Sequence, residues 1–145
     1  MTEVKFYSPS FVSDSDPVYS VIVARYKSKW IFVRHRKRNT WEIPGGHIEK
    51  NESSSEAARR ELMEETGALK SDLVCVATYS VNKDGFTGYG RLYFAEVYEL
   101  AEIHDISEVA EIVLLKRLPE DLTYPDIQPH LFRRTVEYLE RKGII

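Results

Sequence analysis

The segment RRELMEETG, Arg59 to Gly67, puts three glutamates close together on what reads as the last turns of a helix. At 3.6 residues per turn, Glu61, Glu64 and Glu65 share one face, and the 61/64 and 61/65 pairs each repel by roughly 0.2–0.5 kcal/mol. Taken alone, such a cluster is most simply a solvated acidic face offset by Arg59 and Arg60. The preceding segment, PGGHIEKNESSSEAA, shifts the balance toward chemistry. Pro44-Gly45-Gly46 lets the backbone pass where a Cβ would clash, so a loop carbonyl can stand beside the acids. Carboxylates and a carbonyl form an all-oxygen donor set, the kind Mg²⁺ or Mn²⁺ prefers. A bound cation would remove the repulsion, and a divalent metal in a chain of net charge −3 points to a substrate that brings phosphates of its own.

The elements that must hold these groups follow from local pattern. Ser53 and Glu56 fit a Ser-x-x-Glu capping box and Gly67 fits a C-terminal stop, which predicts a helix from Ser53 to about Thr66. Residues 18–26 (VYSVIVARY) and 30–34 (WIFVR) are β-branched and aromatic runs divided by Lys27-Ser28-Lys29, the pattern of a hairpin. A basic loop, 35–40, and a short apolar piece, Trp41-Glu42-Ile43, lead to Pro44-Gly45-Gly46, which stops it. Residues 73–81 and 89–100 read as two further strands joined through Asn82-Lys83-Asp84-Gly85 and Gly88, with a last short strand at 113–118. From about 128 to 142, apolar residues at 131, 132, 136 and 139 recur at helical spacing, so the chain closes on an amphipathic helix. Strands and helices mix without regular βαβ alternation, which predicts an α/β (α+β) fold with a mixed sheet between helices.

Composition narrows the function classes. With 145 residues, 43% hydrophobic and 12% aromatic, the chain can build one domain with a real core, and no repeat or linker divides residues 1–145. Its slight negative charge argues against a partner that is polymeric nucleic acid or an anionic membrane. Cys75 is the only cysteine, which leaves no disulfide framework and no cysteine-based zinc site. The N-terminal segment lacks a basic region followed by an apolar core, and nothing approaches a membrane-spanning length, so a soluble cytoplasmic protein is the expectation.

The window from Gly46 to Ala68, GHIEKNESSSEAARRELMEETGA, resembles the signature of the Nudix hydrolases: Gly, five residues, Glu, seven residues, Arg-Glu, aliphatic, any residue, Glu-Glu, any residue, Gly, aliphatic. Gly46, Glu52, Arg60, Glu61, Leu62, Glu64, Glu65 and Gly67 occupy their places, and Ala68 is smaller than the usual last residue. More loosely, the resemblance extends through the strand order, the Trp-Glu-Ile-Pro-Gly-Gly lead-in and the terminal helix. Size and layout look most like the MutT branch, which cleaves oxidised purine nucleoside triphosphates such as 8-oxo-dGTP.

What the resemblance implies is a three-layer α/β/α sandwich around a mixed sheet. It also implies Mg²⁺-dependent hydrolysis, with Mn²⁺ as a substitute, of a nucleoside diphosphate linked to another group. The first expectation is a purine nucleoside triphosphate cleaved to the monophosphate and pyrophosphate. Glu61, Glu64 and Glu65 correspond to metal ligands, with the Gly45 carbonyl as another, and Glu61 is also the candidate base. Arg60 stands beside Glu61 in the catalytic set and, as an ion pair with Glu52, holds helix against loop; Gly46 and Gly67 are structural. A later metal-binding glutamate is expected at Glu108, with Glu111 as second choice. Arg36 lies where a phosphate-binding arginine is often found, with Arg34, Lys37 and Arg38 as substitutes. His47 stands where many relatives carry lysine, and a histidine is only partly charged near neutral pH.

Base recognition would fall to residues 122–129 (LTYPDIQP), with Asp126 or Gln128 pairing and Phe86, Tyr79 or Tyr89 stacking. The competing reading has Asp126 capping a helix and the aromatics filling the core. No proline or tyrosine stands roughly 15 to 18 residues past the box, the mark of ADP-ribose and dinucleoside-polyphosphate enzymes, and the NADH-type SQPWPFP segment is missing too. ADP-ribose, nucleotide-sugar or dinucleoside-polyphosphate hydrolysis, and a non-catalytic nucleotide-sensing domain, remain as alternatives. The last of these sits badly with a box that keeps all its glutamates.

Overall fold

A computed structural model of the chain describes residues 1–13, 15–102 and 108–145. Its elements are β1 (Thr2–Tyr7), β2 (Tyr19–Tyr26), β3 (Lys29–His35), β4 (Gly45–His47), α1 (Ser54–Thr66), β5 (Ala68–Lys83), β6 (Phe86–Leu100), β7 (Val109–Leu115) and α2 (Gln128–Arg141). The seven strands form one sheet in the order β1-β5-β6-β2-β3-β7, with β4 paired to β2. Strands β2 and β6 run parallel, and the other strand pairs are antiparallel.

The central strand shows why the sheet is covered on both faces. Val21, Ile22, Val23 and Ala24 are all buried, an unbroken apolar run where a half-exposed strand would alternate. Val21 and Val23 join Trp30, Phe32, Phe94, Leu131 and Leu139 on the α2 side. Ile22 and Ala24 join Ile31, Tyr93, Ala95, Ala58 and Leu62 on the α1 side. The two helices therefore lie on opposite faces, and the architecture is the expected α/β/α sandwich around a mixed sheet.

Helix α1 begins and ends as its local signals require. Ser53 accepts from the Glu56 N–H at 3.1 Å, and the Glu56 carboxylate accepts from the Ser53 N–H at 2.9 Å, a complete capping box. At the other end Gly67 is left-handed, with φ of 77°, and donates to the Met63 carbonyl at 2.9 Å. Gly67 also accepts from the Ala101 N–H at 2.7 Å, which ties the helix end to the end of β6.

Several elements differ from the local reading. Strand β1 was not anticipated; it pairs with β5 from Thr2↔Lys83 to Tyr7↔Thr78, a partner that short-range pattern does not reveal. Strands β5 and β6 start earlier than their apolar runs, because one long hairpin ladder carries polar residues such as Lys70 and Asp72 along with it. The last strand is shifted N-terminally, to Val109–Leu115, by its pairing of Leu115 with Trp30 and Val109 with His35. The glycines expected to stop the chain instead form β4, where Gly45 pairs with Val21 and Gly46 with Ser20.

Gly67 and Gly85 allow the tertiary requirement to be separated from the dihedral one. Both are left-handed, with φ of 77° and 85°, but a Cβ at Gly67 would meet the Ala101 carbonyl oxygen at 2.2 Å while Gly85 faces open space. Gly85→Ala is expected to cost about 1 kcal/mol from backbone strain. Gly67→Ala should cost at least about 3 kcal/mol, because Ala101 must move as well. Urea unfolding midpoints at unchanged slope measure the difference.

Candidate active site

Helix α1 can approach the sheet closely because Ala57 and Ala58 are small and fully buried beneath it. With Ala58 and Leu62 in the core, the 100° step per residue turns Glu61 and Glu65 toward β4 and leaves Glu64 outward. A Cβ at Gly46 would lie within 2.7 Å of the Glu61 carboxyl atoms, so any larger residue would displace that carboxylate from its place. A Cβ at Gly45 would meet the Ser20 carbonyl oxygen at 2.6 Å. The Gly45 N–H donates to Glu65 Oε1 at 2.9 Å.

The acids do not behave alike. Glu65 is 6% exposed, and burial pushes its carboxyl up to about 8, against the pull of the Gly45 N–H; Glu61, Glu42 and Glu108 push it further. Burial also raises Glu61, opposed by Arg60, with Glu64 and Glu108 adding repulsion. Glu52 goes the other way: the Arg60 guanidinium holds it at about 2. Arg60 donates to Glu52 at 2.7 and 2.9 Å, to Glu61 at 2.6 Å and to the His47 carbonyl at 3.1 Å, and its own pKa is raised chiefly by the Glu52 hydrogen bond. The helix–loop ion pair implied by the motif is thus present.

The charge of Glu108 reaches both buried acids, while its carbonyl accepts from the Arg36 N–H at 2.8 Å. Glu111, the second choice, accepts from Arg34 Nε at 2.8 Å. Among the described residues no three acidic, His or Cys side chains already converge on one point, and Glu61 rests on Arg60 instead. The fit to a hard divalent cation lies in the donor chemistry. Glu61 feels the charges of Glu64 and Glu108, Glu65 feels those of Glu61 and Glu108, and burial drives Glu61 and Glu65 toward the neutral form; a cation would stabilise the ionised form of each.

Across β4 from these acids, on the α2 side, lies a pocket of about 300 Å³ lined by Val21, Tyr79, Val81, Leu131, Glu42, Tyr124, Gln128 and both glycines. Gln128 is buried, and its Oε1 accepts from the Ile43 N–H at 2.8 Å, so the amide N–H groups are what it has left to offer. Arg38 clasps the rim, donating at 3.2 Å to both Glu42 and the Tyr124 hydroxyl.

The sequence candidates divide accordingly. Tyr79, Tyr89 and Gln128 line the pocket. Phe86 does not: it is 82% exposed at the tip of the β5–β6 hairpin. Asp126 is exposed and off the pocket wall, and it does not cap α2, whose N-cap is Ile127 with no side-chain hydrogen bond. His47 is exposed, with its ring 4.3 Å from that of Tyr19. Sequence reading missed Glu42 and His35, and it placed Tyr124 within the base-recognition segment without singling it out. The signal available for Glu42 was an acid inside the apolar piece Trp41-Glu42-Ile43.

A sandwich that turns the acidic end of one helix onto a glycine strand, beside an apolar pocket, pairs oxygen donors suited to a hard cation with a cavity suited to a small organic ligand. The NUDIX domain model matches residues 15–134, and the chain belongs to the Nudix family. It is 36% identical over 111 residues to YtkD of Bacillus subtilis (strain 168), provisionally named an 8-oxo-dGTP diphosphatase; the match covers 77% of this chain and 69% of that protein. It is 28% identical to an RNA pyrophosphohydrolase of Sulfurovum sp. (strain NBC37-1), over 86% of this chain and 91% of the relative. The crystal structure of a mutant of the Bacillus subtilis pyrophosphohydrolase BsRppH superposes with a TM-score of 0.76 at 30% identity, covering 94% of this chain and 90% of that one.

The buried acid leads to a pH prediction. Between the ordinary glutamate pKa of 4.5 and the raised value of about 8, the folded protein holds a proton at Glu65 that the unfolded chain releases. Raising pH through that window therefore lowers the stability of the metal-free protein. Thermal melts in chelator should fall from pH 5 to 8, and Glu65→Gln should flatten the slope.

Proposed function

We propose that the protein hydrolyses a purine nucleoside triphosphate to the monophosphate and pyrophosphate using Mg²⁺, with 8-oxo-dGTP the first substrate to test. One observation carries this reading: the mutually repelling carboxylates of half-buried Glu61 and buried Glu65 stand one strand away from an apolar pocket bearing Gln128. When bound by Glu61, Glu64, Glu65, Glu108 and the Gly45 carbonyl, the metal would lower the pKa of the attacking water and neutralise phosphate charge.

The chain's own groups do the rest. Glu61, half-buried and raised in pKa, takes the proton of the attacking water as one bridging P–O bond breaks and its electron pair leaves with pyrophosphate. Arg60 holds the helix on the loop through Glu52 and supplies positive charge beside Glu61. Arg36 and His47 contact non-reacting phosphates. The pocket takes the base, with Gln128 donating to an acceptor on its edge and Tyr79 and Tyr89 forming its walls. No helix among the described residues is long and apolar enough to cross a membrane, and the proposed site of action is the cytoplasmic nucleotide pool.

A second reading is supported by the likeness to enzymes named RNA pyrophosphohydrolases: removal of pyrophosphate from a triphosphorylated RNA 5′ end. A net charge of −3 offers little to track a long phosphate backbone, so it stands second. A screen of 8-oxo-dGTP, ordinary nucleoside triphosphates, ADP-ribose and a 5′-triphosphorylated oligoribonucleotide, scored for pyrophosphate against phosphate, separates the readings. Release from the oligonucleotide alone would overturn the first.

Turnover should vanish in excess chelator. Glu61→Gln keeps the shape against Gly46 and should lower kcat by about 10²- to 10⁴-fold, the usual worth of a general base. Arg36→Ala should raise KM for triphosphates with kcat nearly unchanged, because a contact to non-reacting phosphates binds ground and transition states alike. Steady-state kinetics on the substrate found in the screen measures both.

A further inference from the structure

His35 ends β3 at a register shift, where the pairing with β7 skips from Arg34↔Glu111 to His35↔Val109. Such an irregularity re-aims a side chain, and here Arg34 goes to Glu111 while the His35 ring turns inward. Its Nε2 stands 3.5 Å from Glu65 Oε2 and 3.7 Å from Glu42 Oε1, with the imidazole 24% exposed and the two acids 9% and 11% exposed. The remaining oxygen of each acid is held from the other side: Glu65 Oε1 by the Gly45 N–H at 2.9 Å and Glu42 Oε2 by Arg38 at 3.2 Å. Without the ring, the two carboxyl groups would face each other directly, and the second oxygen of Glu65 would lack its polar neighbour.

We propose that His35 is a positioning residue for Glu65: wedged between two buried carboxylates, it separates them and fixes the direction in which Glu65 presents its second oxygen to a divalent cation. The inference rests on Glu65 being a metal ligand, as in the function proposed above. It adds a group outside the glutamate motif, and it ties the wall of the apolar pocket, through Glu42, to the metal-binding face. Partners that orient a ligand from behind are typically worth about 10- to 100-fold in metal affinity.

The test is a Mn²⁺ titration of the full-length, nucleotide-free protein, with free Mn²⁺ read by electron paramagnetic resonance and folding checked by thermal melts in chelator. His35→Leu fills the space but offers no N–H, and should weaken Mn²⁺ binding by about 10- to 100-fold. His35→Gln places an amide N–H near the imidazole Nε2 and should bind within a few-fold of the parent. Glu65→Gln should weaken binding, and adding His35→Leu to it should cause little further loss, since the two act through one oxygen. If Glu65→Gln weakens binding but His35→Leu does not, the metal reading stands and this inference alone falls. If His35→Gln folds and binds as poorly as His35→Leu, the positioning role is overturned. Parent-like binding by Glu65→Gln would remove the metal reading of Glu65 and the inference with it.

Discussion

The carboxylates of Glu61 and Glu65 lie directly against the backbone of Gly46 and Gly45, and that contact sets the distance between α1 and the sheet. A Cβ at residue 46 would occupy the space of the Glu61 carboxyl group, so a side chain there would displace the acid or lift the helix. The same approach needs Ala57 and Ala58 on the underside of the helix and Leu62 seated in the core. Those packing residues fix the rotation of α1 about its axis. Once they are buried, the helical step leaves Glu61 and Glu65 no direction but β4.

Charge is distributed unevenly along that helix. At the loop end, Arg60 satisfies Glu52 with two hydrogen bonds and reaches Glu61 with a third, so this end is largely self-neutralised. Toward the C-terminal end, Glu65 has a backbone N–H and a histidine for neighbours, and the charges of Glu42, Glu61 and Glu108 all act against it. The free end of a helix is itself partially negative, which adds to the excess. The molecule carries the cost of this imbalance in its metal-free state, a cost that a divalent cation would offset.

The parts legible in the sequence were those whose determinants are local. The ends of α1 were readable because a capping box and a left-handed glycine are signals of a few residues each. The crowding of its acids was readable because helical periodicity is fixed. β1 and β4 were not, since each exists only through pairing with a strand distant in sequence. The pocket wall was half legible: Gln128 and Tyr79 were named, but Glu42 and Tyr124 meet only because residues 40–43 and 121–128 are stitched together by Trp41 N–H to Asp121, Thr123 N–H to Trp41 and Ile43 N–H to Gln128. Phe86, Tyr79 and Tyr89 looked equivalent as aromatics, yet Phe86 falls at the hairpin turn, where no layer covers it.

The short strand β4 also lets the pocket and the carboxylates of α1 be neighbours while drawing on almost separate sets of side chains. Gly45 and Gly46 line the apolar pocket on the α2 side while their other face meets the acids of α1. One thickness of backbone therefore separates a cavity of about 300 Å³ from the carboxylate face of α1. The pocket walls come from β2, β5, α2 and the loop before it, and the acids from α1 and the segment leading to β7. Substitutions in the first group can reshape the cavity while the second group stays in register, because the glycine strand between them is pinned to β2 by its own pairing. Glu42 is the exception, a pocket residue whose carboxylate is felt at Glu65. A change at that position would alter both sites at once.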